Sequence, residues 1–217
     1  MRKKHKQRKR SCSTYVQYGD CGGPEPLTVN QVKKLCPQRL LGCGSFACAY
    51  TSGRRKGSVV KFTMDPSDVA AFIAFKDKRV AKLRGAYKVG ENDYAIVTEK
   101  LRQLSNRDKE TLWLDKMRDT RDTLDTRSRR RGPTKKFSNG ERMTFVRQCK
   151  SNACRKFGNE LLDLHERAAK KKINLFDFHA GNFGKDKRGN WKMLDLGVSG
   201  KEPKHVPVLN GLKKLTS

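Results

Sequence analysis

Residues 41–50 read LGCGSFACAY, and seventeen residues after Gly44 a Val-Val-Lys run ends in Lys61. The glycines interrupt an apolar run, which predicts two strands joined by a turn, and the β-branched residues before Lys61 predict a third strand. Glycines at such a turn let the backbone come close to phosphate groups, and a lysine on the next strand supplies a positive charge for them. The segment therefore indicates a phosphate-binding hairpin, although a G-x-G taken alone also occurs in ordinary hairpins with a surface lysine.

Two later segments add the groups that phosphoryl transfer needs. An Asp-x4-Asn pattern joins Asp177 to Asn182, and Asp195 follows thirteen residues later, after an apolar run at residues 191–194. Transfer from ATP needs a carboxylate that orients the attacking hydroxyl and accepts its proton, and oxygen ligands that hold Mg²⁺ across the phosphates. The order of these segments predicts ATP and Mg²⁺ as cofactors. It also predicts a catalytic role for Asp177 and a metal-binding role for Asn182 and Asp195.

Taken together, the three segments resemble the protein-kinase-like superfamily over about residues 40–199. The resemblance implies an α+β, protein-kinase-like two-lobe fold with a reduced C-lobe, in which ATP lies between the lobes. It implies that Lys61 and Asp177 are catalytic and that Asp195-Leu196-Gly197 corresponds to the metal-binding D-F-G motif. The residues that would contact the nucleotide are Leu41, Gly42, Cys43, Gly44, Ser45, Phe46, Ala47, Ala49, Lys61, Glu99 and Leu101.

Within that superfamily, the chain is similar to small Ser/Thr protein kinases of tailed bacterial viruses. Those kinases also pair an L-G-x-G-x-F-x-x-A-Y loop with an F-D-x-H-x-G-N segment. The resemblance implies an ATP-dependent Ser/Thr protein kinase that transfers the γ-phosphate of ATP to protein hydroxyls. Small-molecule kinases of the aminoglycoside and choline type contain similar D-x-H-x-G-N wording, so a small-molecule substrate is a further alternative.

Three departures from the family pattern favour a different alternative, a catalytically weak pseudokinase. The two residues before Asp177 are Leu and Phe instead of His and Arg, so control by activation-loop phosphorylation is not expected. The helix predicted after Lys61 holds no Glu, which leaves Asp77 as the nearest acidic candidate to pair with that lysine. Only 22 of the 217 residues follow Asp195, and they contain no A-P-E-like segment.

Positive charge dominates the composition. The chain carries 50 Lys and Arg residues against 22 Asp and Glu, a formal net charge of +28. The run from Arg2 to Arg10 has seven basic residues and no acid, and residues 102–150 have fifteen basic residues against seven acids. This surplus predicts protein substrates that are acidic or associated with nucleic acid, and nucleic-acid contact through these two regions. It equally supports a basic nucleic-acid-binding or virion protein on a kinase-like scaffold without transfer activity.

The domain organisation follows from composition and periodicity. We expect a basic, largely disordered tail over 1–35, a kinase N-lobe over 36–101, and a reduced helical C-lobe with a basic insertion over 102–217. The predicted helices cover residues 67–83, about 107–125, and one or two segments within 144–172. The predicted hairpins have their turns at 90–93 and 186–190.

Cysteine usage and apolar runs bear on the compartment. No apolar core follows the basic start, so a secretory signal is not expected, and no apolar run is long enough to span a membrane. The seven cysteines include no C-x-x-C pair, which argues against zinc and predicts reduced thiols. We therefore expect a soluble protein that is not secreted. It would lie in the cytoplasm or nucleus of a host, or be packaged in a virion.

Overall fold

The computed structural model describes residues 11–19, 24–112, 146–147, 149–173, 175 and 179–196. These residues form a mixed α+β structure, which confirms the α+β part of the prediction. They divide into two compact units. The first contains the described residues up to Pro66 together with Leu83–Lys100, and the second contains Ser67–Lys82 and the described residues from Leu101 onward. The chain thus passes from the first unit to the second after Pro66, returns to the first at Leu83, and enters the second again at Leu101.

The first unit is built on a five-stranded antiparallel sheet. Its elements are β1 (Tyr15–Val16), β2 (Glu25–Pro26), α1 (Asn30–Lys33), β3 (Pro37–Gly44), β4 (Ala47–Ser52), β5 (Ser58–Thr63), β6 (Leu83–Lys88) and β7 (Tyr94–Glu99). The strand order in the large sheet is β3-β4-β5-β7-β6, and β1 and β2 form a separate pair. The two strands predicted around Gly42 and Gly44 and the hairpin with its turn at residues 90–93 are both confirmed.

The N-terminal segment packs against this sheet, which corrects the predicted tail for residues 11–19 and 24–35. Its apolar side chains, Val16, Tyr18, Leu27, Val32 and Leu35, are buried in one core with residues of β4, β5 and β7. The Tyr18 ring meets the Phe62 ring edge to face, with centroids 5.8 Å apart. Burial raises the pKa of the Tyr18 hydroxyl, and the nearby charge of Asp93 raises it further. Glycines and a proline at residues 19–24 had indicated a tail. The sequence alone does not show that the apolar side chains on either side of them are buried.

Three disulfides replace the reduced thiols that were expected. Cys12 bonds to Cys36, Cys43 to Cys48, and Cys149 to Cys154. Both C-x4-C pairs are therefore disulfide-bonded. The prediction was wrong because it rested on spacing and compartment, whereas each pairing depends on which cysteines the fold places opposite each other. The seventh cysteine, Cys21, lies outside the described residues.

The second unit combines helices with a small antiparallel sheet. Its elements are α2 (Pro66–Ala74), β8 (Arg102–Gln103), α3 (Asn106–Leu112), α4 (Asn152–Lys170), a 3₁₀ turn (Ala180–Asn182), β9 (Phe183–Lys185) and β10 (Trp191–Met193). The sheet order is β10-β9-β8. The predicted helix over 67–83 ends at Ala74, because the following residues run to Val80, which pairs with Met193 in a parallel bridge. The other predicted helices and the turn at 186–190 are confirmed where the residues are described.

An aromatic cluster holds α4 against the β9–β10 hairpin. Phe157 of α4 meets Phe183 and Trp191 edge to face, with ring centroids 5.6 and 4.6 Å away. The indole Nε1 of Trp191 donates a hydrogen bond to Glu160 Oε2 at 2.7 Å. Edge-to-face aromatic contacts are favourable beyond the apolar area they bury. The cluster therefore fixes the hairpin that precedes Asp195.

A buried ion-pair network lies beside this helix. Arg79 donates from Nε and Nη2 to the two carboxylate oxygens of Asp77, at 2.9 Å each, and from Nη1 to the Glu160 carbonyl and to Asp163 at 2.7 Å. The Nη1 of Arg167 lies 3.2 Å from Asp77 Oδ2. Burial alone would raise the pKa of the Asp77 carboxyl, but the bonds and charge of Arg79 hold that pKa below its ordinary value.

The N-terminus of α3 is capped by a reciprocal pair. The Ser105 hydroxyl accepts from the Asp108 N–H at 3.1 Å, and the Asp108 carboxylate accepts from the Ser105 N–H at 3.0 Å, which is a capping box. The Lys185 ammonium on β9 donates to the same carboxylate at 2.5 Å. Lys185 and then Ser105 hold the pKa of the Asp108 carboxyl far below its ordinary value.

Replacing Asp108 with Asn should make the free energy of unfolding depend less on pH in the acidic range. Because the pKa of Asp108 is lower in the folded state than in the unfolded chain, its contribution is complete above about pH 4 and is lost as the pH falls below that value. We expect Asp108→Asn to lower the free energy of unfolding at pH 7 by about 1 kcal/mol. Urea titrations at pH 7, 4 and 2.5 should show the difference from wild type shrinking, and a constant difference would contradict the assignment.

Within the part of the chain that the structure describes, no helix has the length and apolar character to cross a membrane.

Candidate functional site

Lys61 occupies the middle of β5 in the first unit. Its neighbours along the strand, Val60 and Phe62, are fully buried in the core that the N-terminal segment covers. Because side chains alternate along a strand, Lys61 lies on the opposite face of the sheet. Its register partners are Ala49 on β4 and Ile96 on β7.

The glycine hairpin, residues 42–49 of β3 and β4, lies beside Lys61 in the same sheet. Gly42 pairs with Ala49, and Ala49 in turn pairs with Lys61, so the three positions form a row across three strands. A Cβ atom built at Gly42 or at Gly44 would meet no other atom within 4 Å. Both glycines therefore border open space, and no neighbouring side chain explains why they lack one.

Two contacts brace the tip of this hairpin. The Phe46 carbonyl accepts a hydrogen bond from the Met64 N–H at 3.1 Å. A Cβ atom at Gly19 would lie 2.4 Å from the Ser45 carbonyl oxygen, so only glycine lets the N-terminal segment come this close to the turn. Sequence reasoning missed this second contact because Gly19 lies in the segment that was expected to be a tail.

The remaining predicted nucleotide contacts fall in three environments. Leu41 and Phe46 are exposed, as expected for apolar side chains that would meet a ligand. The side chain of Cys43 is bonded to Cys48, so its contribution to a phosphate site would come from its backbone. Glu99 ends β7 in the first unit, whereas the buried Leu101 belongs to the second and packs against Gly184, where a Cβ atom would lie 2.7 Å from it.

The second unit places Asn182 next to the residue that precedes Asp195. Strands β9 and β10 pair antiparallel with Phe183 opposite Met193, so the residues flanking this pair lie side by side. The Leu194 N–H donates to the Asn182 carbonyl at 2.7 Å, which joins the residue just before Asp195 to Asn182 itself. The thirteen-residue spacing noted in the sequence is thus the length of one hairpin.

A tight turn presents Asn182. The Nδ1 atom of His179 accepts from the Gly181 N–H at 3.0 Å, and the Asn182 N–H donates to the His179 carbonyl at 2.9 Å. A Cβ atom at Gly181 would lie 2.7 Å from the His179 ring, which explains the glycine. His179 therefore shapes the turn. Asp177, the predicted catalytic carboxylate, lies outside the described residues.

The oxygen atoms of this hairpin suit Mg²⁺. Among the described residues, no three His, Cys, Asp or Glu side chains form a cluster that could hold a metal by themselves. Mg²⁺, however, usually takes one or two carboxylates and completes its shell with water and substrate phosphates. An amide oxygen at Asn182 and a carboxylate at Asp195 fit that pattern, so the donor set is compatible with a magnesium ion shared with ATP.

Two acidic side chains lie in or just after α2, where the sequence predicted an acidic partner for Lys61. Asp77, the candidate from the sequence, has both carboxylate oxygens engaged by Arg79 and Arg167 within its own unit. Asp68, in the first turn of α2, is a buried carboxylate that the sequence analysis passed over. A buried acid one turn into a helix is uncommon, but the sequence alone does not show that Asp68 is buried.

Comparison with known proteins adds no family assignment. No protein-family model matches the chain, and no curated protein is significantly similar to it.

Proposed function

We propose that this chain is an ATP-dependent Ser/Thr protein kinase with a protein-kinase-like two-lobe fold. The observation that carries the proposal is the β9–β10 hairpin, which places Asn182 beside the residue preceding Asp195. Two oxygen ligands held by a short, packed hairpin provide a rigid site for the metal that accompanies ATP.

The first unit supports the proposal independently. Gly42 and Ala49 of the glycine hairpin form a row with Lys61 across β3, β4 and β5. Backbone N–H groups of a glycine-rich turn and the ammonium group of a neighbouring lysine are the groups that bind phosphate oxygens in such enzymes. In the proposed site, residues at the end of β7, including Glu99, would bind the adenine through their backbone.

Each residue then has a defined task. Lys61 binds the α- and β-phosphates, and the glycine hairpin covers them. Asn182 and Asp195 hold Mg²⁺, which when bound neutralises charge on the phosphates. Asp177 orients a Ser or Thr hydroxyl and accepts its proton as the oxygen attacks the γ-phosphorus. Such catalysis depends on positioning and charge stabilisation, and kinases typically turn over about 1–100 times per second.

The charge of the chain indicates the substrates. With a net charge of +28, the protein attracts acidic proteins and proteins that are already bound to nucleic acid. The basic run from Arg2 to Arg10 and the 102–150 region would supply the additional nucleic-acid contact, and both lie largely outside the described residues. Such substrates occur in the cytoplasm or nucleus of a host and in virions. Phosphorylation of an acidic protein should therefore decrease as salt increases.

The proposal is tested by label transfer from γ-labelled ATP. The full chain is incubated with Mg²⁺ and either no substrate, casein or histone, with EDTA in a parallel sample. Label on protein that EDTA abolishes would support a protein kinase. ATP binding without label on protein would favour the pseudokinase or, if a small molecule becomes labelled, the small-molecule kinase. Absence of both label and ATP binding would favour a basic nucleic-acid-binding protein.

A further inference from the structure

We propose that the Cys43–Cys48 disulfide is a thiol–disulfide exchange site through which a dithiol reductant controls the rigidity of the glycine hairpin. Exchange at this bond is inferred from the geometry of the first unit alone. Its effect on nucleotide binding rests on the proposed function. The two parts are therefore tested by separate measurements.

The bond joins the two strands close to the turn. Cys43 and Cys48 lie directly opposite each other, with Cα atoms 4.1 Å apart, and only the Gly44–Ala47 pair separates them from the turn. The β3–β4 pairing is irregular on the other side of the bond, between Leu40 and Gly42. The disulfide thus holds the tip of a hairpin whose base is not regularly paired.

Solvent reaches one of the two sulfur-bearing residues. Cys43 is exposed, whereas Cys48 is fully buried in the core beneath the N-terminal segment. Cys43 and Cys48 pair next to Gly42 and Ala49, and the Gly42–Ala49 pair is in line with Lys61. Because side chains alternate between the two faces along a strand, both cysteines lie on the face of the sheet opposite Lys61. A reductant can therefore approach Cys43 without entering the face that the nucleotide would occupy.

The other two disulfides differ in ways that favour exchange at this one. Cys149 and Cys154 have the same sequence separation of 5, but both are buried. Cys12 is exposed, but its bond to Cys36 closes a longer segment, with a separation of 24. A longer closed loop constrains the unfolded chain more, so opening it is less favourable.

The exchange is a balanced two-electron reaction. A thiolate of the dithiol attacks Cys43 Sγ, forming a mixed disulfide and releasing Cys48 as a thiolate, which takes up a proton. The second thiol of the reductant loses its proton and attacks the other sulfur of the reductant in the mixed disulfide, which releases Cys43 as a thiolate that takes up a proton. The products are two protein thiols and the oxidised, cyclic disulfide of the reductant.

Opening the bond should loosen the hairpin. Gly42 and Gly44 have no side chains to restrict their backbone, and the structure places no neighbouring atoms where such side chains would be. Without the covalent link, the hairpin must be ordered when a nucleotide binds, and that ordering lowers the affinity. We expect the Kd for ATP with Mg²⁺ to increase about fivefold on reduction.

The exchange site is tested by graded reduction of the full chain. The protein is equilibrated with increasing dithiothreitol, free thiols are alkylated, and the modified cysteines are identified by mass spectrometry. Cys43 and Cys48 should become alkylated at a dithiothreitol concentration at least about tenfold below that needed for Cys149 and Cys154. Simultaneous opening, or opening of the buried pair first, would overturn the exchange site whether or not the protein binds ATP.

The effect on the hairpin is tested by amide hydrogen exchange over residues 42–49 and by titration with ATP and Mg²⁺. Both are measured in oxidised and reduced wild type, in Cys43→Ser/Cys48→Ser, and in the matched control Cys149→Ser/Cys154→Ser. Faster amide hydrogen exchange and weaker ATP binding in reduced wild type, but not in the control variant, would support the proposal. This comparison holds even if Cys43→Ser/Cys48→Ser fails to fold. Unchanged exchange and affinity would overturn the control of the hairpin. Absence of ATP binding in both redox states would instead overturn the proposed function, and the alkylation order would still decide the exchange site.

Discussion

Replacing Asp195 with Asn should reduce label transfer from ATP at least about a hundredfold, because the magnesium ion of the proposed site would then lose its only charged ligand among the described residues. The substitution preserves the size of the side chain, so the β9–β10 pairing and the Leu194–Asn182 hydrogen bond should persist. Binding of ATP in the presence of Mg²⁺ should weaken as well. Initial rates with labelled ATP, measured over a range of Mg²⁺ concentrations, provide the measurement.

Two further variants separate the roles in the proposed reaction. Asp186→Asn changes a carboxylate in the same hairpin, which accepts from Arg188 and Asn190 in the turn, and should leave transfer within about twofold of wild type. Asp177→Asn should reduce label transfer about as much as Asp195→Asn does. It should leave the binding of ATP with Mg²⁺ largely unchanged. If Asp195→Asn and Asp186→Asn were equally active, Asp195 would not be a metal ligand of the reaction.

The largest effect on stability is expected from Asp77→Asn, which should lower the free energy of unfolding by about 3 kcal/mol. The Asp77 side chain is fully buried and carries the negative charge opposite Arg79, whose side chain is only 9% exposed. Removing the carboxylate leaves the guanidinium buried with its main counter-charge gone, and this is more costly than losing the pair as a unit. Urea unfolding at pH 7, followed by circular dichroism, measures the difference.

Asp163 offers a matched control on the same arginine. Its carboxylate lies 2.7 Å from Arg79 Nη1 but is 52% exposed, so solvent screens the interaction. Asp163→Asn should lower the free energy of unfolding by less than about 1 kcal/mol. Equal effects of the two substitutions would contradict the importance of burial at Asp77.

Local patterns in the sequence were enough for much of the fold. The alternating and β-branched residues around Lys61, the turn at residues 90–93 and the apolar spacing of α4 each depend on neighbours within a few residues, and the structure confirms all three elements. The pairing of Asn182 with the approach to Asp195 also follows from one hairpin. These features could be predicted because the interactions that form them are close in sequence.

Features that depend on distant residues could not be predicted. The core position of Val16 and Tyr18 becomes visible only when β4 and β5 are in place to cover them. The end of α2 at Ala74 depends on a strand more than a hundred residues away, and the second ion pair of Asp77 depends on Arg167, which the fold brings to it. The Cys12–Cys36 disulfide is of the same kind, because its two cysteines are separated by 24 positions in the sequence.

The bridge between Val80 and Met193 has a consequence for the order in which the protein is made. Met193 also accepts from the Ala81 N–H at 2.8 Å and donates to the Arg79 carbonyl at 2.7 Å, so both sides of the bridge are anchored by backbone hydrogen bonds. During synthesis, the residues around Val80 leave the ribosome long before their partner exists. Contacts this distant in sequence form slowly. The second unit therefore completes its packing after all strands of the five-stranded sheet have been synthesised. A nascent chain that stops short of Met193 has no strand to place beside Val80.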